Sequence, residues 1–114
     1  MKEIVYSPEY RRGILELRDY LLEKFGENTA KKVIKEITEA IDLLSDNEKL
    51  GKSLNKEFGI DTDYRYLYRS HTYIFYKADY NYIYVEKIFN EREDFMRKLF
   101  KPNLVNENTF LDEY

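Results

Sequence analysis

The residues best suited to chemistry in this sequence lie in one run of strand-like segments, from Tyr64 to Phe89. The run holds eight of the twelve tyrosines and the single histidine, His71. Arg65 and Arg69 stand among the tyrosines, on one face of a predicted strand. Aromatic rings stack on bases, and guanidinium groups pair with phosphates or carboxylates. The run therefore predicts a surface for an anionic partner, unless the tyrosines are ordinary cross-strand packing, which their high strand propensity also explains.

His71 is the side chain of the run most typical of general-base catalysis. It falls in a predicted hairpin turn, and it would need a hydrogen-bonding partner that the sequence alone does not identify. There is no cysteine, and with only one histidine the sequence predicts neither disulfides nor a transition-metal site. The sequence also contains no glycine-rich phosphate loop, nucleophile elbow or zinc-protease helix, so we expect no cofactor.

The composition predicts one globular domain that does not enter a membrane. The chain has 114 residues, of which 43% are hydrophobic and 36% charged. No apolar stretch approaches the roughly 18 residues that a membrane span needs. The first residues run directly into a strand-like segment, so we expect a cytoplasmic protein without a signal peptide.

The net charge of −3 is unevenly distributed along the chain. Residues 64–101 carry eight basic and five acidic side chains, a sum of +3. Residues 102–114 carry three acidic side chains and no basic one, a sum of −3. We therefore expect a single domain over residues 1–101 and an acidic tail over residues 102–114, although solvated faces alone also produce such a contrast.

Two amphipathic helices are predicted in the N-terminal half. A short strand at residues 3–6 precedes a first helix, which Ser7 can cap and which ends at Gly26. A second helix extends from near Asn28 to Leu44, with apolar residues every three or four positions. Because the linker between them is short, the two helices should form an antiparallel hairpin.

Strands dominate the second half of the chain. A weak strand is predicted near residues 54–58, and stronger ones at residues 64–70, 72–78 and 82–89, joined by tight turns. A final short helix is predicted for residues 90–100. The order β-α-α-β-β-β-β-α indicates an α+β domain, with the helix hairpin packed on an antiparallel-rich sheet. One sheet face must cover the helices, and the other should combine aromatic and basic groups.

Six short segments, in this order and spacing, resemble the RelE/ParE superfamily of toxins from bacterial type II toxin–antitoxin modules. None is specific alone, and together they cover about residues 3–100. The segments are Tyr-Ser-Pro-Glu (6–9), Phe-Gly-Glu-Asn-Thr-Ala (25–30), Leu-Gly-Lys-Ser-Leu (50–54), Tyr-Arg-Tyr-Leu-Tyr (64–68), Tyr-Ile-Phe-Tyr (73–76) and Glu-Lys-Ile-Phe-Asn-Glu-Arg-Glu-Asp-Phe (86–95). The resemblance implies a RelE/ParE-like fold and a small cytoplasmic toxin that a cognate antitoxin neutralises.

The resemblance implies one of two activities. RelE-like members cleave mRNA in the ribosome without a metal, and ParE-like members inhibit DNA gyrase by binding. For the nuclease, it assigns phosphate binding to Arg65, a catalytic lysine to Lys56 and a further basic group to Arg92, with His71 as an additional catalytic candidate. The candidates for contacts with a partner or nucleic acid are Arg65, Arg69, Lys87 and Arg92.

The sequence departs from the nuclease pattern near the end of the last strand. Asn90 stands where the superfamily often has histidine or arginine, and Phe95 and Met96 occupy a region where nuclease members rely on tyrosine or histidine. Phenylalanine cannot exchange a proton, whereas one general acid or base contributes a factor of roughly 10²–10⁴. We therefore expect a gyrase inhibitor. The alternatives are a ribosome-dependent mRNA endoribonuclease and a toxin-like binding module without poisoning activity.

Overall fold

This computed structural model describes residues 1–91, which contain a five-stranded sheet, a hairpin of two long helices and one short helix. The predicted final helix lies outside the described residues apart from its first positions. Asn90 is instead the last residue of a strand, and Glu91 is in a turn. Arg92 and the predicted acidic tail also lie outside the described residues.

The two long helices form as the sequence predicts. After β1 (Glu3–Tyr6), helix α1 (Pro8–Phe25) begins with the Ser7 hydroxyl accepting a hydrogen bond from the Tyr10 N–H at 2.9 Å. Helix α2 (Glu27–Asp42) follows after Gly26 alone, whose φ of 92° lets the chain reverse direction. No helix in the described part of the chain is long and apolar enough to span a bilayer.

The sheet is mixed, with one parallel pair at its edge. The strands β2 (Lys52–Ser53), β3 (Arg65–Arg69), β4 (Thr72–Ala78) and β5 (Tyr82–Asn90) pair in the order β1-β5-β4-β3-β2. All neighbours are antiparallel except β1 and β5, which run parallel. The described elements confirm the predicted α+β class and the helix hairpin.

The core lies between the helix hairpin and one face of the sheet. Ile37 and Ile41 of α2 are fully buried there against Ile74 of β4 and Val85 of β5. Leu67 of β3 joins the same cluster. Because side chains alternate along a strand, these buried positions show which residues lie on the opposite face of the sheet.

The prediction of a weak strand at residues 54–58 was wrong, because this segment is the short helix α3 (Leu54–Phe58). The Ser53 hydroxyl accepts a hydrogen bond from the Lys56 N–H at 3.3 Å and caps the helix. Gly59, with a φ of 68°, ends it in the left-handed conformation. Lys56 is therefore an exposed helix residue instead of a strand residue.

Candidate functional site

Six aromatic rings form a continuous cluster on the sheet face that points away from α1 and α2. Ring centroids lie 5.0 Å apart for Tyr68 and Tyr73, and 5.6 Å apart for Tyr66 and Tyr73. Phe75 is completely buried, whereas Tyr68 is 49% exposed. The tyrosines are therefore cross-strand packing at the centre and an exposed surface at the rim. The members of this aromatic cluster are Phe58, Tyr66, Tyr68, Tyr73, Phe75 and Phe89.

Arg65 lies on the helix-facing side of β3 and is engaged inside the fold. Its Nη1 donates to the backbone oxygen of Gly51 at 2.9 Å. Directly opposite on β4, the Tyr76 hydroxyl donates to the Glu48 carbonyl at 2.7 Å and accepts the Gly51 N–H at 2.9 Å. Burial raises the pKa of Tyr76, so its hydroxyl stays protonated and able to donate. Arg65 and Tyr76 together fix the loop that leads into β2.

The other predicted cations are distributed over separate parts of the molecule. Arg69 is exposed at the end of β3, and Lys56 is exposed on α3. Lys87 on β5 donates to Glu9 Oε2 at 2.5 Å, which joins the strand to the first turn of α1. The structure thus does not bring these three residues together at one point.

His71 has the carboxylate partner that a general base requires. Its Nδ1 lies 2.9 Å from Glu91 Oε2, and the Tyr68 hydroxyl donates to Glu91 Oε1 at 2.5 Å. The hydrogen bond to Glu91 raises the pKa of Tyr68. Glu91 was missed by the sequence analysis, although the antiparallel pairing of β4 and β5 continues as far as the Glu91 N–H, which donates to the His71 carbonyl at 2.9 Å.

Arg65 begins strand β3, whereas His71 lies in the turn that follows the strand. The four residue steps from Arg65 to Arg69 span roughly 13 Å at 3.3 Å per residue, and His71 lies beyond Arg69 in the turn. The Arg65 guanidinium is, moreover, held at Gly51. Phosphate binding by Arg65 and proton transfer by His71 would therefore occur at two different places.

Carboxylates compensate the lysines that border the aromatic cluster. Lys77 lies 3.6 Å from Glu86 and 5.6 Å from the centre of the Tyr64 ring. The Tyr64 hydroxyl donates to Glu86 at 2.7 Å, and burial together with this hydrogen bond raises the pKa of Tyr64. Lys52 likewise lies 3.7 Å from Glu57. The exposed sheet face is consequently less basic than the sequence suggests.

A comparison with protein families identifies the chain. The family described as "ParE toxin of type II toxin-antitoxin system, parDE" matches residues 4–95. The chain belongs to this family of ParE toxins.

A solved structure that is similar to this ParE-family toxin is described as "Chromosomal ParDE TA system from P. aeruginosa". The two chains share 15% sequence identity with a TM-score of 0.66, over 79% of this chain and 96% of that chain. At this level of identity the likeness shows a common fold. No curated protein matches the sequence significantly.

Two open grooves flank the α2 helix of this ParE-family toxin. One, of about 600 Å³, lies between the helix hairpin and the β3–β4 turn, and its lining includes Tyr20, Phe25 and His71. The other, of about 620 Å³, lies between the end of α2 and the outer edge of β3. Both grooves have apolar and charged linings.

Proposed function

We propose that this toxin arrests growth by binding DNA gyrase, and that a cognate antitoxin neutralises it. The observation that carries the proposal is the position of Arg65, whose guanidinium is bound to the Gly51 carbonyl on the helix-facing side of the sheet. A nuclease of the RelE type would need this arginine at the scissile phosphate, together with groups that move protons. Inhibition by binding requires only a complementary surface.

The exposed rim of the aromatic cluster supports binding to a protein target. Tyr68 and Phe58 are each 49% exposed on the side of the sheet that points away from α1 and α2. Aromatic residues are enriched in the centres of protein interfaces, where they contribute much of the binding energy. The paired lysines around them favour a protein surface over a phosphate backbone, because compensated charges attract polyanions weakly.

A supercoiling assay with purified gyrase tests the proposal. We expect the purified toxin to inhibit supercoiling, and the addition of the co-expressed antitoxin to restore it. A Tyr80→Ala variant serves as a control for a surface change outside the aromatic cluster, because Tyr80 is 87% exposed in the turn between β4 and β5. This variant should inhibit as the parent does. Unchanged supercoiling in the presence of excess toxin would refute gyrase as the target.

A second candidate function is ribosome-dependent mRNA cleavage, which the contact between His71 and Glu91 at 2.9 Å favours. In a translating extract, cleavage by the parent and its loss by about 10²-fold or more in a His71→Gln variant would establish this activity. Under our proposal the extract shows no cleavage, and His71→Gln inhibits gyrase as the parent does. Gyrase inhibition and mRNA cleavage both predict that inducing the chain without its antitoxin arrests growth. A binding module without poisoning activity would leave growth unchanged.

A further inference from the structure

Strand β1 forms one edge of the sheet in the described part of the chain. It pairs with β5 on one side, and no described strand lies on its other side. The Glu3 N–H donates to the Asn81 carbonyl at 3.3 Å, which directs the backbone of Glu3 toward β5. Because alternate residues of a strand bond to the same neighbour, the N–H and C=O groups of Ile4 and Tyr6 are directed away from β5.

The open stretch of this edge is short and has an apolar residue at its centre. Before it, the Lys2 N–H donates to the Ser45 carbonyl at 3.0 Å, and after it the first turn of α1 begins at Pro8. Between these limits, Val5 is 40% exposed on the sheet face that points away from α1 and α2. Proteins usually protect a sheet edge with charges, prolines or bulges, so an exposed valine at the centre of an open edge indicates a strand that can pair.

The open stretch is symmetric about Val5. If two copies of β1 pair in antiparallel orientation, the outward-directed residues form the hydrogen-bonded pairs, which join Ile4 of each copy to Tyr6 of the other. Val5 then lies opposite Val5 of the second copy, on the two-fold axis. Glu3 lies opposite Ser7 of the second copy, so this register does not place the two glutamates opposite each other, where like charges would be destabilising.

Two opposite charges stand beside the open edge. Arg11 lies 6.0 Å from the centre of the Tyr6 ring, and its Nε donates to the Tyr6 carbonyl at 3.4 Å. Burial and the Asp42 carboxylate raise the pKa of Tyr6, and the Arg11 guanidinium lowers it, so both charges act on the same side chain. Both residues are exposed, and neither forms an ion pair with another described residue.

This pair of charges indicates which occupant fits the edge. A segment of one charge sign would be attracted by Arg11 and repelled by Asp42, or the reverse. A second copy related by a two-fold axis presents both signs in the opposite order, because a two-fold interface brings the same surface of each copy together. The Tyr6 carbonyl has two lone pairs and can accept from the second copy while it still accepts from Arg11.

We propose that two copies of the toxin associate through β1, which joins their two five-stranded sheets into one, with Arg11 of each copy facing Asp42 of the other. The surface comprises Ile4, Val5, Tyr6, Arg11 and Asp42, and is called here the β1-edge surface. None of its residues belongs to the aromatic cluster. The inference therefore stands or falls independently of gyrase as the target.

Sedimentation equilibrium of the full-length toxin, purified free of antitoxin, tests this inference. We expect the average mass to rise with concentration to twice that of one chain. Arg11→Asp and Asp42→Arg should each weaken this association about tenfold or more, because each places like charges together at both contacts. An equimolar mixture of the two variants should associate as the parent does, because the mixed pair restores opposite charges at both contacts.

The matched control is Arg12→Asp, which makes the same change in charge at the next position of α1, also exposed but outside the β1-edge surface. It should associate as the parent does. Recovery in the mixture also shows that the single variants are folded. Hydrogen exchange supplies a second measurement, since the Ile4 and Tyr6 amides should become protected as the parent is concentrated.

Four outcomes would overturn the inference. The first is a parent that stays monomeric at its highest soluble concentration. The second is association that neither charge reversal weakens, or that the mixture fails to recover. The third is association that leaves the exchange of the Ile4 and Tyr6 amides unchanged, which would place the interface elsewhere. The fourth is protection of these amides only when antitoxin is added, which would make the antitoxin the occupant.

Discussion

Tyr76 is a polar residue at the centre of an apolar core, and its hydroxyl connects distant parts of the chain. The side chain is fully buried, and the hydroxyl makes hydrogen bonds to both Glu48 and Gly51. A Cβ at Gly51 would lie only 2.6 Å from this hydroxyl, so glycine is needed for the close approach. Tyr76 and Arg65 therefore both fix the loop before β2, together with the ion pair of Lys2 with Glu48, and position 51 needs glycine.

Replacing Tyr76 by phenylalanine should lower the free energy of unfolding by about 1–3 kcal/mol, because the Gly51 N–H and the Glu48 carbonyl lose a partner in a buried place. Urea denaturation measures the difference. The control is Tyr80→Phe, whose ring is 87% exposed and whose change should stay within about 0.5 kcal/mol. Equal stability of the two variants would show that the loop does not depend on the Tyr76 hydroxyl.

The candidate site residues show what can and cannot be predicted from residue type alone. The sequence analysis selected Arg65 as a phosphate-binding residue because of its type and its aromatic neighbours. Its observed partner, Gly51, lies 14 positions away and is brought there by the pairing of β2 with β3. The partner of His71 is likewise set by the pairing of β4 with β5. Residue types suggest candidates, and strand register decides what they contact.

At the scale of elements, local sequence patterns predicted the helices and strands themselves, but not which strands pair with each other. The apolar periodicity of α1 and α2 and the alternation of β3, β4 and β5 were sufficient for correct placement. Helix α3 was missed because five residues are too few to show a helical period, although Ser53 and Gly59 are typical cap residues. The parallel pairing of β1 with β5 joins two ends of the described chain, which no local pattern specifies.

The contact between α1 and β5 depends on a glycine inside the helix. A Cβ at Gly13 would lie 2.3 Å from Ile88 Cγ2, so α1 and β5 can approach this closely only without a side chain at position 13. Gly13→Ala gains about 1 kcal/mol of helix propensity, but overpacking costs about 1–3 kcal/mol. We expect a net loss in the free energy of unfolding, measured by urea denaturation.

A double-mutant cycle separates the two contributions to Gly13→Ala. Ile88→Leu conserves volume and removes the branch at Cβ that carries Cγ2. In the Ile88→Leu background, Gly13→Ala should therefore cost less or become stabilising, with a coupling energy of about 0.5 kcal/mol or more. Additive effects of the two substitutions would show that Ile88 adjusts easily, and that the glycine has no packing role.

At the scale of the whole molecule, charge distinguishes a protein target from a nucleic-acid target. The chain carries a net charge of −3, and Lys52 and Lys77, which border the aromatic cluster, have carboxylate partners. Binding to phosphate backbones depends on unpaired cations that displace counterions, and it weakens steeply as salt is added. A toxin that binds gyrase through an aromatic rim has no such requirement.

We therefore expect the purified toxin to leave the mobility of double-stranded DNA and of mRNA unchanged at physiological salt, and to inhibit gyrase with little dependence on salt between 50 and about 200 mM. A Glu9→Gln/Glu86→Gln variant releases Lys87 and Lys77 from their carboxylates and should gain weak, salt-sensitive DNA binding. Electrophoretic mobility shifts compare the two proteins. Tight binding of RNA by the parent, with a steep decrease as salt rises, would instead favour the ribosome as its target, because ribosome binding requires contact with phosphates.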